Sequence, residues 1–127
     1  MQKYQTGHYR VYLMSFQKDG VSFLKPGFTQ YKDVYSRIEA NHLLDQKEHP
    51  NNVTWKDYFD RVNPAKSITV KGKAQAKLIE QEILDALGKK DVSFDVKFSG
   101  ITEMRSYSNR SYAIACTILE KYRTVWQ

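Results

Sequence analysis

The run Tyr9-Arg10-Val11-Tyr12-Leu13-Met14-Ser15-Phe16, then Lys18-Asp19-Gly20, then Val21-Ser22-Phe23-Leu24-Lys25, decides how this chain folds. The first segment is β-branched and aromatic with no breaker, so it reads as a strand buried on both faces for much of its length. Lys18-Asp19-Gly20 is a hairpin turn signal, and Val21 to Lys25 is the return strand. Pro26-Gly27 ends it. A proline donates nothing to a ladder, which puts this end of the strand at an edge or bulge where backbone can approach a ligand.

Outward from the hairpin, Asp33 is a helix cap before Val34-Tyr35-Ser36-Arg37-Ile38-Glu39-Ala40-Asn41-His42-Leu43-Leu44. Val34, Ile38 and Leu44 define its inner face, and Arg37 and Asn41 project within that face. An arginine stem covering the core edge accounts for Arg37 taken singly. Residues 45–66 read as a long polar loop, carrying Trp55, Tyr58 and Phe59 to dock it on the body. Ser67-Ile68-Thr69-Val70 is a short extended piece. Asp91 to Phe98 alternates, with Val92, Phe94, Val96 and Phe98 on one face, as a half-buried strand does. Asn109 to about Trp126 is an amphipathic helix with Ala115, Ile118, Leu119, Tyr122 and Trp126 on its stripe. The expectation is an α+β fold: a small three-stranded antiparallel sheet flanked by helices, in the order strand-strand-helix-helix-strand-helix. At 127 residues the chain suits one domain, residues 1–127.

A formal net charge of +6 favours a polyanionic partner, because clustered Lys and Arg release condensed counterions from nucleic acid. No stretch approaches the roughly 18 apolar residues of a membrane span. The amino terminus has no apolar run behind Lys3, so no secretory signal is expected and a cytoplasmic, reducing compartment is. Cys116 is a single cysteine and reads as a small core residue. No Cys/His cluster has zinc spacing, and no phosphate-loop glycine motif is present.

Lys73 to Lys89 is the helix that carries chemistry. At about 100° per residue, Ala76, Ile79, Ile83, Leu84 and Leu87 share one arc and Glu80 falls inside it. An ionised carboxylate aimed at a core needs a cation, a metal or donors. Either a rim glutamate paired with a lysine or a metal or catalytic site satisfies that need. Lys66, Lys71, Lys73 and Lys77 precede or open this helix. Cations there oppose the macrodipole, which argues against a role in helix stability, and a bound phosphate would be favoured. A solvated lysine surface is the other reading.

The order of elements, the hairpin, the inward Arg37 and the inward Glu80 together resemble the GIY-YIG nuclease superfamily. The pieces are Val11-Tyr12-Leu13-Met14, then Leu24-Lys25-Pro26-Gly27-Phe28-Thr29, then Arg37-Ile38, then Ala76-Lys77-Leu78-Ile79-Glu80, and finally Gly100-Ile101-Thr102-Glu103. They look like the phage-type branch, whose second motif is Lys-x-Gly-x-Thr. The resemblance spans most of Tyr9 to Glu120. Gly-Ile-Tyr itself is absent, and either Tyr9 or Tyr12 fills the first motif; Lys25-Pro26 stands where a tyrosine and an aliphatic are commonest.

What the resemblance implies is a Mg²⁺-dependent (or Mn²⁺-dependent) endonuclease that nicks or cuts duplex DNA, with a homodimer left open. Tyr12 would deprotonate or orient the water, Lys25 would assist it, Arg37 would stabilise charge on the phosphate, and Glu80 would hold the metal. A phenol is a poor base at neutral pH unless cations favour phenolate, and Lys25, Arg37 and the metal are those cations. Lys66, Lys71, Lys73, Lys77, Lys56 and Arg61 are the candidate DNA contacts. Trp55, Lys56, Tyr58 and Arg61 could equally pin the 45–66 loop onto the core. Glu103 reads as a cap or ion-pair residue before the last helix, and His42 as a proton shuttle or a plain helix histidine. The alternative from another class is a module that keeps the fold for nucleic-acid binding or interaction after losing catalysis.

Overall fold

A computed structural model describes residues 8–30, 34–41, 47 and 49–126, with side chains as far as Arg123. Strands β1 (Tyr9–Lys18) and β2 (Val21–Thr29) form the expected hairpin, in register from Arg10↔Thr29 to Lys18↔Val21. Asp19 and Gly20 both have positive φ, 51° and 80°, which is what a two-residue turn matching strand twist demands. Ser22 O accepts from Tyr107 N on the far side of β2, so by alternation the Pro26 nitrogen points the same way. Among the described residues no strand pairs with β2 at Pro26 on that side, and a missing N–H costs nothing.

The sheet has four antiparallel strands in the order β3-β1-β2-β4, not three. β3 spans Arg61–Val70, a ten-residue strand whose last four residues are the expected extended piece and whose first six read as loop. Pro64 and the polar composition hide it, but β3 is an edge strand, and a register shift opposite Leu13 and Met14 accommodates the proline. Before it, Trp55–Tyr58 forms one helical turn, α2, capped by Thr54 accepting from Asp57 N. The 45–66 segment is therefore not a loop throughout. β4 is only Arg105–Ser106, paired with Leu24 and Phe23.

Asp91–Phe98 corrects in the opposite direction. Its side chains alternate in burial as expected, yet it forms no strand. A ladder needs a free strand edge as well as a pattern, and β4 occupies the β2 edge at Phe23 and Leu24. Val92, Phe94, Val96 and Phe98 pack instead into an aromatic cluster with Phe23, Tyr58 and Phe59.

β1 is covered on both faces, which is why its sequence is a nearly continuous apolar run. On one face Val11, Leu13, Leu24, Ile68 and Val70 meet helices α3 (Lys73–Leu87) and α4 (Asn109–Trp126) through Ala76, Ile79, Ile83, Ala115 and Leu119. Cys116 packs partly buried against this core. On the other face Tyr12, Met14 and Phe16 meet Val34 and Ile38 of α1 (Val34–Ala40), with Trp55, Phe59, Phe98 and Met104. Fully burying an Ile or Leu contributes about 1.5–3 kcal/mol, so either layer is indispensable to a chain of this size. Asp33, His42, Leu43 and Leu44 lie outside the described residues, as does the Trp126 side chain. Among the described residues, no helix is long and apolar enough to cross a membrane.

Candidate functional site

Strand alternation sends Tyr12 and Lys25 to the same face, since Tyr12 pairs with Gly27 and Met14 with Lys25 in the hairpin register. Lys25 Nζ donates to Tyr12 Oη at 3.3 Å. Both side chains are nearly sealed, at 1% and 3% exposure. Tyr9 goes to the opposite face, edge-on to Phe28 against the α3/α4 core, so Tyr12 is the tyrosine that meets Lys25.

Trp55 organises the cations around this pair. Its ring lies 5.5 Å from Lys25 Nζ and 4.8 Å from Arg37 Cζ, both within cation–π reach. Lys25 Nζ is also 5.2 Å from the Tyr12 ring centroid. The indole is fixed at two points: Nε1 donates to Ser99 O at 2.8 Å, and the Trp55 backbone N–H donates to Asn41 Oδ1 at 2.8 Å. Asn41, the second inward polar residue of the first helix, is thus buried because it anchors α2.

Two glycines let these side chains in. A Cβ on Gly27 would overlap the Tyr12 hydroxyl and ring, and a Cβ on Gly100 would overlap Lys25 Cε. Gly100 also has φ +79°, a left-handed conformation that begins the 3₁₀ turn Ile101–Glu103. Arg105 holds that turn from below, donating to Thr102 O at 2.9 Å, Met104 O at 3.0 Å and Gly88 O at 3.0 Å.

Glu80 sits on α3 between the fully buried Ile79 and Ile83, itself partly buried. Burial pushes its carboxyl above the usual range; Lys25 pulls it down, Glu103 pushes it up and Lys77 pulls it down. The carboxylate accepts no hydrogen bond from any described residue. Glu103 does not cap α4, where Ser108 Oγ accepts from Ser111 N at 3.0 Å; its charge acts on the Glu80 carboxyl, and its own oxygen accepts from Thr102 Oγ1.

Among the described residues, no group of three or more His, Cys, Asp or Glu could hold a metal ion. Mg²⁺ does not require one. It keeps several waters and takes one or two carboxylates together with phosphate oxygens, a demand toward which the partly buried Glu80 offers one carboxylate.

The candidate DNA contacts separate. Lys71, Lys73 and Lys77 are exposed around the start of α3, where Gly72 offers no side-chain cap and no acid occupies the first turn. Lys66 is engaged by Glu120 at 2.6 Å, and Lys56 by Glu39 at 2.9 Å, an ion pair linking α2 to α1. Arg61 is exposed at the far end of β3 from Lys71, about 30 Å away at strand rise. Trp55 and Tyr58 pack inward, Tyr58 stacking on Phe98.

Asn41, Trp55, Gly100, Glu103 and Arg105 are the site-building residues that sequence reasoning did not assign to the site. The Gly-x-Thr-Glu run was the available signal for Gly100 and Glu103, and its inward position on the first helix was the signal for Asn41; Trp55 and Arg105 have none short of tertiary contact. Compared with family models, with curated proteins and with solved structures, the chain matches none.

Proposed function

We propose that the protein is a metal-dependent endonuclease of the GIY-YIG type that hydrolyses phosphodiester bonds in duplex DNA. The observation that carries this reading is the Glu80 carboxylate, partly buried, without a hydrogen bond from the described residues and close enough to the buried Lys25 to feel its charge. Burying such a group without donors is costly for structure alone, and functional sites are where such groups concentrate. Glu80 would hold Mg²⁺ or Mn²⁺. When bound, that ion would supply Lewis-acid stabilisation of the phosphate. Lys25 holds the Tyr12 hydroxyl, which orients the attacking water. Arg37, levelled against Trp55, faces the phosphate charge. Lys71, Lys73 and Lys77 contact flanking phosphates near the start of α3. The partner is double-stranded DNA, in the reducing cytoplasmic setting that a lone Cys116 suits, with a homodimer as the route to cutting both strands.

One observation favours a second reading, a nucleic-acid-binding module that has lost catalysis: Tyr12 is 1% exposed. Water reaches its hydroxyl only if the cover over the Tyr12–Lys25 pair opens. The deciding experiment is cleavage of supercoiled plasmid by wild type and Glu80→Ala with Mg²⁺, Mn²⁺ or EDTA. Metal-dependent conversion to open circle or linear that vanishes in the variant supports the nuclease. A gel shift by both proteins with no cutting by either transfers the conclusion to the binding module.

A further inference from the structure

Where the last turn of α3, strand β4 and the first turn of α4 meet, they enclose an open cavity of about 330 Å³. Its lining is dipolar: Asp91 stands on it with Arg105 and Arg110, beside the apolar Ala86, Leu87 and Ile114. Among the described residues none of these three charges makes an ion pair, either with one another or with a further side chain. Opposite charges around one small cavity ordinarily close on each other, and here two of them are held in place. Asp91 Oδ1 accepts from Ser106 N at 2.9 Å. Arg105, only 9% exposed, commits Nε to Gly88 O and Nη1 to Thr102 O and Met104 O. Carbonyls satisfy those N–H groups but leave the positive charge uncompensated, and a charge buried to that extent is ordinarily matched. The two N–H groups of Nη2 remain without an acceptor. They are not sealed from solvent, since Arg10 Nε is the one sealed side-chain atom without a partner among the described residues.

We propose that this cavity binds a small zwitterion of the amino-acid class, its carboxylate end taken by Arg105 Nη2 and Arg110 and its ammonium by Asp91 Oδ2. A simple anion satisfies the arginines but meets the Asp91 carboxylate, whereas a dipolar ligand satisfies both ends of the lining. Two arginines against one aspartate match two carboxylates and one ammonium, so an acidic amino acid such as glutamate fits the charge count. Its methylenes have Leu87 and Ile114 to pack on. Asp91 keeps its orientation through Ser106 and Arg105 through three carbonyls, so two of the three charged contacts are set before the ligand arrives, which lowers the ordering cost of binding. None of the lining residues touches the phosphodiester in the nuclease reading, and the proposal stands apart from that reading.

The test is titration of the full chain with L-glutamate, glutarate, L-alanine and inorganic phosphate, read by calorimetry and by the Ser106 and Ser111 amide resonances, which locate the ligand. L-Glutamate should bind most tightly and shift both resonances. Glutarate, which lacks the ammonium, and L-alanine, which lacks the second carboxylate, should each bind on the order of 10-fold more weakly, as loss of one charge-assisted contact implies. Asp91→Asn keeps the acceptor for Ser106 N and removes only the charge, so this variant should fold and should bind L-glutamate and glutarate alike. Arg110→Gln, at an exposed position, should weaken L-glutamate by about 10-fold while its margin over glutarate persists. Failure of L-glutamate to shift either resonance in the unmutated protein overturns the proposal. So does inorganic phosphate binding as tightly as L-glutamate, which would make the cavity a general anion site, and so does a preference for L-glutamate over glutarate that survives in Asp91→Asn.

Discussion

Gly100 is seated directly against the Lys25 side chain, so that a Cβ there would occupy the space of Lys25 Cε. The 3₁₀ turn that follows carries Glu103, whose charge acts on the Glu80 carboxyl, so one glycine both covers the buried lysine and starts the turn that bears a second carboxylate. Gly100→Ala should therefore displace Lys25 as well as strain a left-handed residue. Gly20→Ala is the control, since Gly20 has φ +80° but a Cβ added there would meet nothing within 4 Å. Both should lose roughly 1–2 kcal/mol of stability from backbone strain. Only Gly100→Ala should lose plasmid cleavage or Mg²⁺-induced stabilisation, measured by melting temperature with and without the ion.

Glu80 supplies a pH signature. Its carboxyl is raised by burial, so the folded state holds the proton more tightly than the unfolded chain does. The associated stability is fully present below the ordinary carboxylate range and is lost as pH rises through the elevated folded value. Glu80→Gln should accordingly melt higher than wild type at neutral pH in EDTA, and the gap should close as pH falls below the usual carboxylate range. A gap of the opposite sign at neutral pH would mean that Lys25 and Lys77 outweigh burial.

Tyr12→Phe separates packing from chemistry. The ring stays in the core of Met14, Phe16 and Trp55, while Lys25 Nζ loses its hydroxyl acceptor. Leaving that buried donor unpaired should cost about 1–3 kcal/mol in urea denaturation. Turnover should fall by about 10²–10⁴-fold, the usual contribution of a positioned acid–base group. Loss of stability with turnover intact would reduce Tyr12 to a core residue.

Glu82 should behave oppositely to Glu80. Lys121 at 2.5 Å and the Tyr122 hydroxyl hold its carboxyl below the usual range and join α3 to α4. Its contribution is present above the ordinary carboxylate range and disappears as pH falls through the lowered folded value. The pair is partly solvent-exposed, so Glu82→Gln should cost well under 1 kcal/mol near neutrality. The difference from wild type should vanish in acid, read by melting temperature across the same pH series.

Local pattern carried the hairpin, the α3 and α4 stripes and the inward placement of Arg37, Asn41 and Glu80, because side-chain periodicity is set by backbone geometry within a few residues. The α+β class follows from those elements alone. Pattern failed in two places for one reason. Residues 61–66 look like loop but extend the expected Ser67–Val70 piece along the free edge of β1, and Asp91–Phe98 looks like strand but finds β2 already paired with β4 where it passes. Strand formation depends on a partner edge, which no stretch of sequence contains.

The sequence by itself offered the candidates: a tyrosine, Tyr9 or Tyr12, and Lys25 in a hairpin, with an arginine and a glutamate aimed inward from helices. Only the tertiary structure decided which of them meet. It set Tyr12 rather than Tyr9 beside Lys25, brought Lys25 and Arg37 against Trp55, and committed Lys66 and Lys56 to ion pairs with Glu120 and Glu39. These contacts join residues far apart in the chain, and their energies come from burial and charge proximity that exist only after the two layers have closed on the sheet.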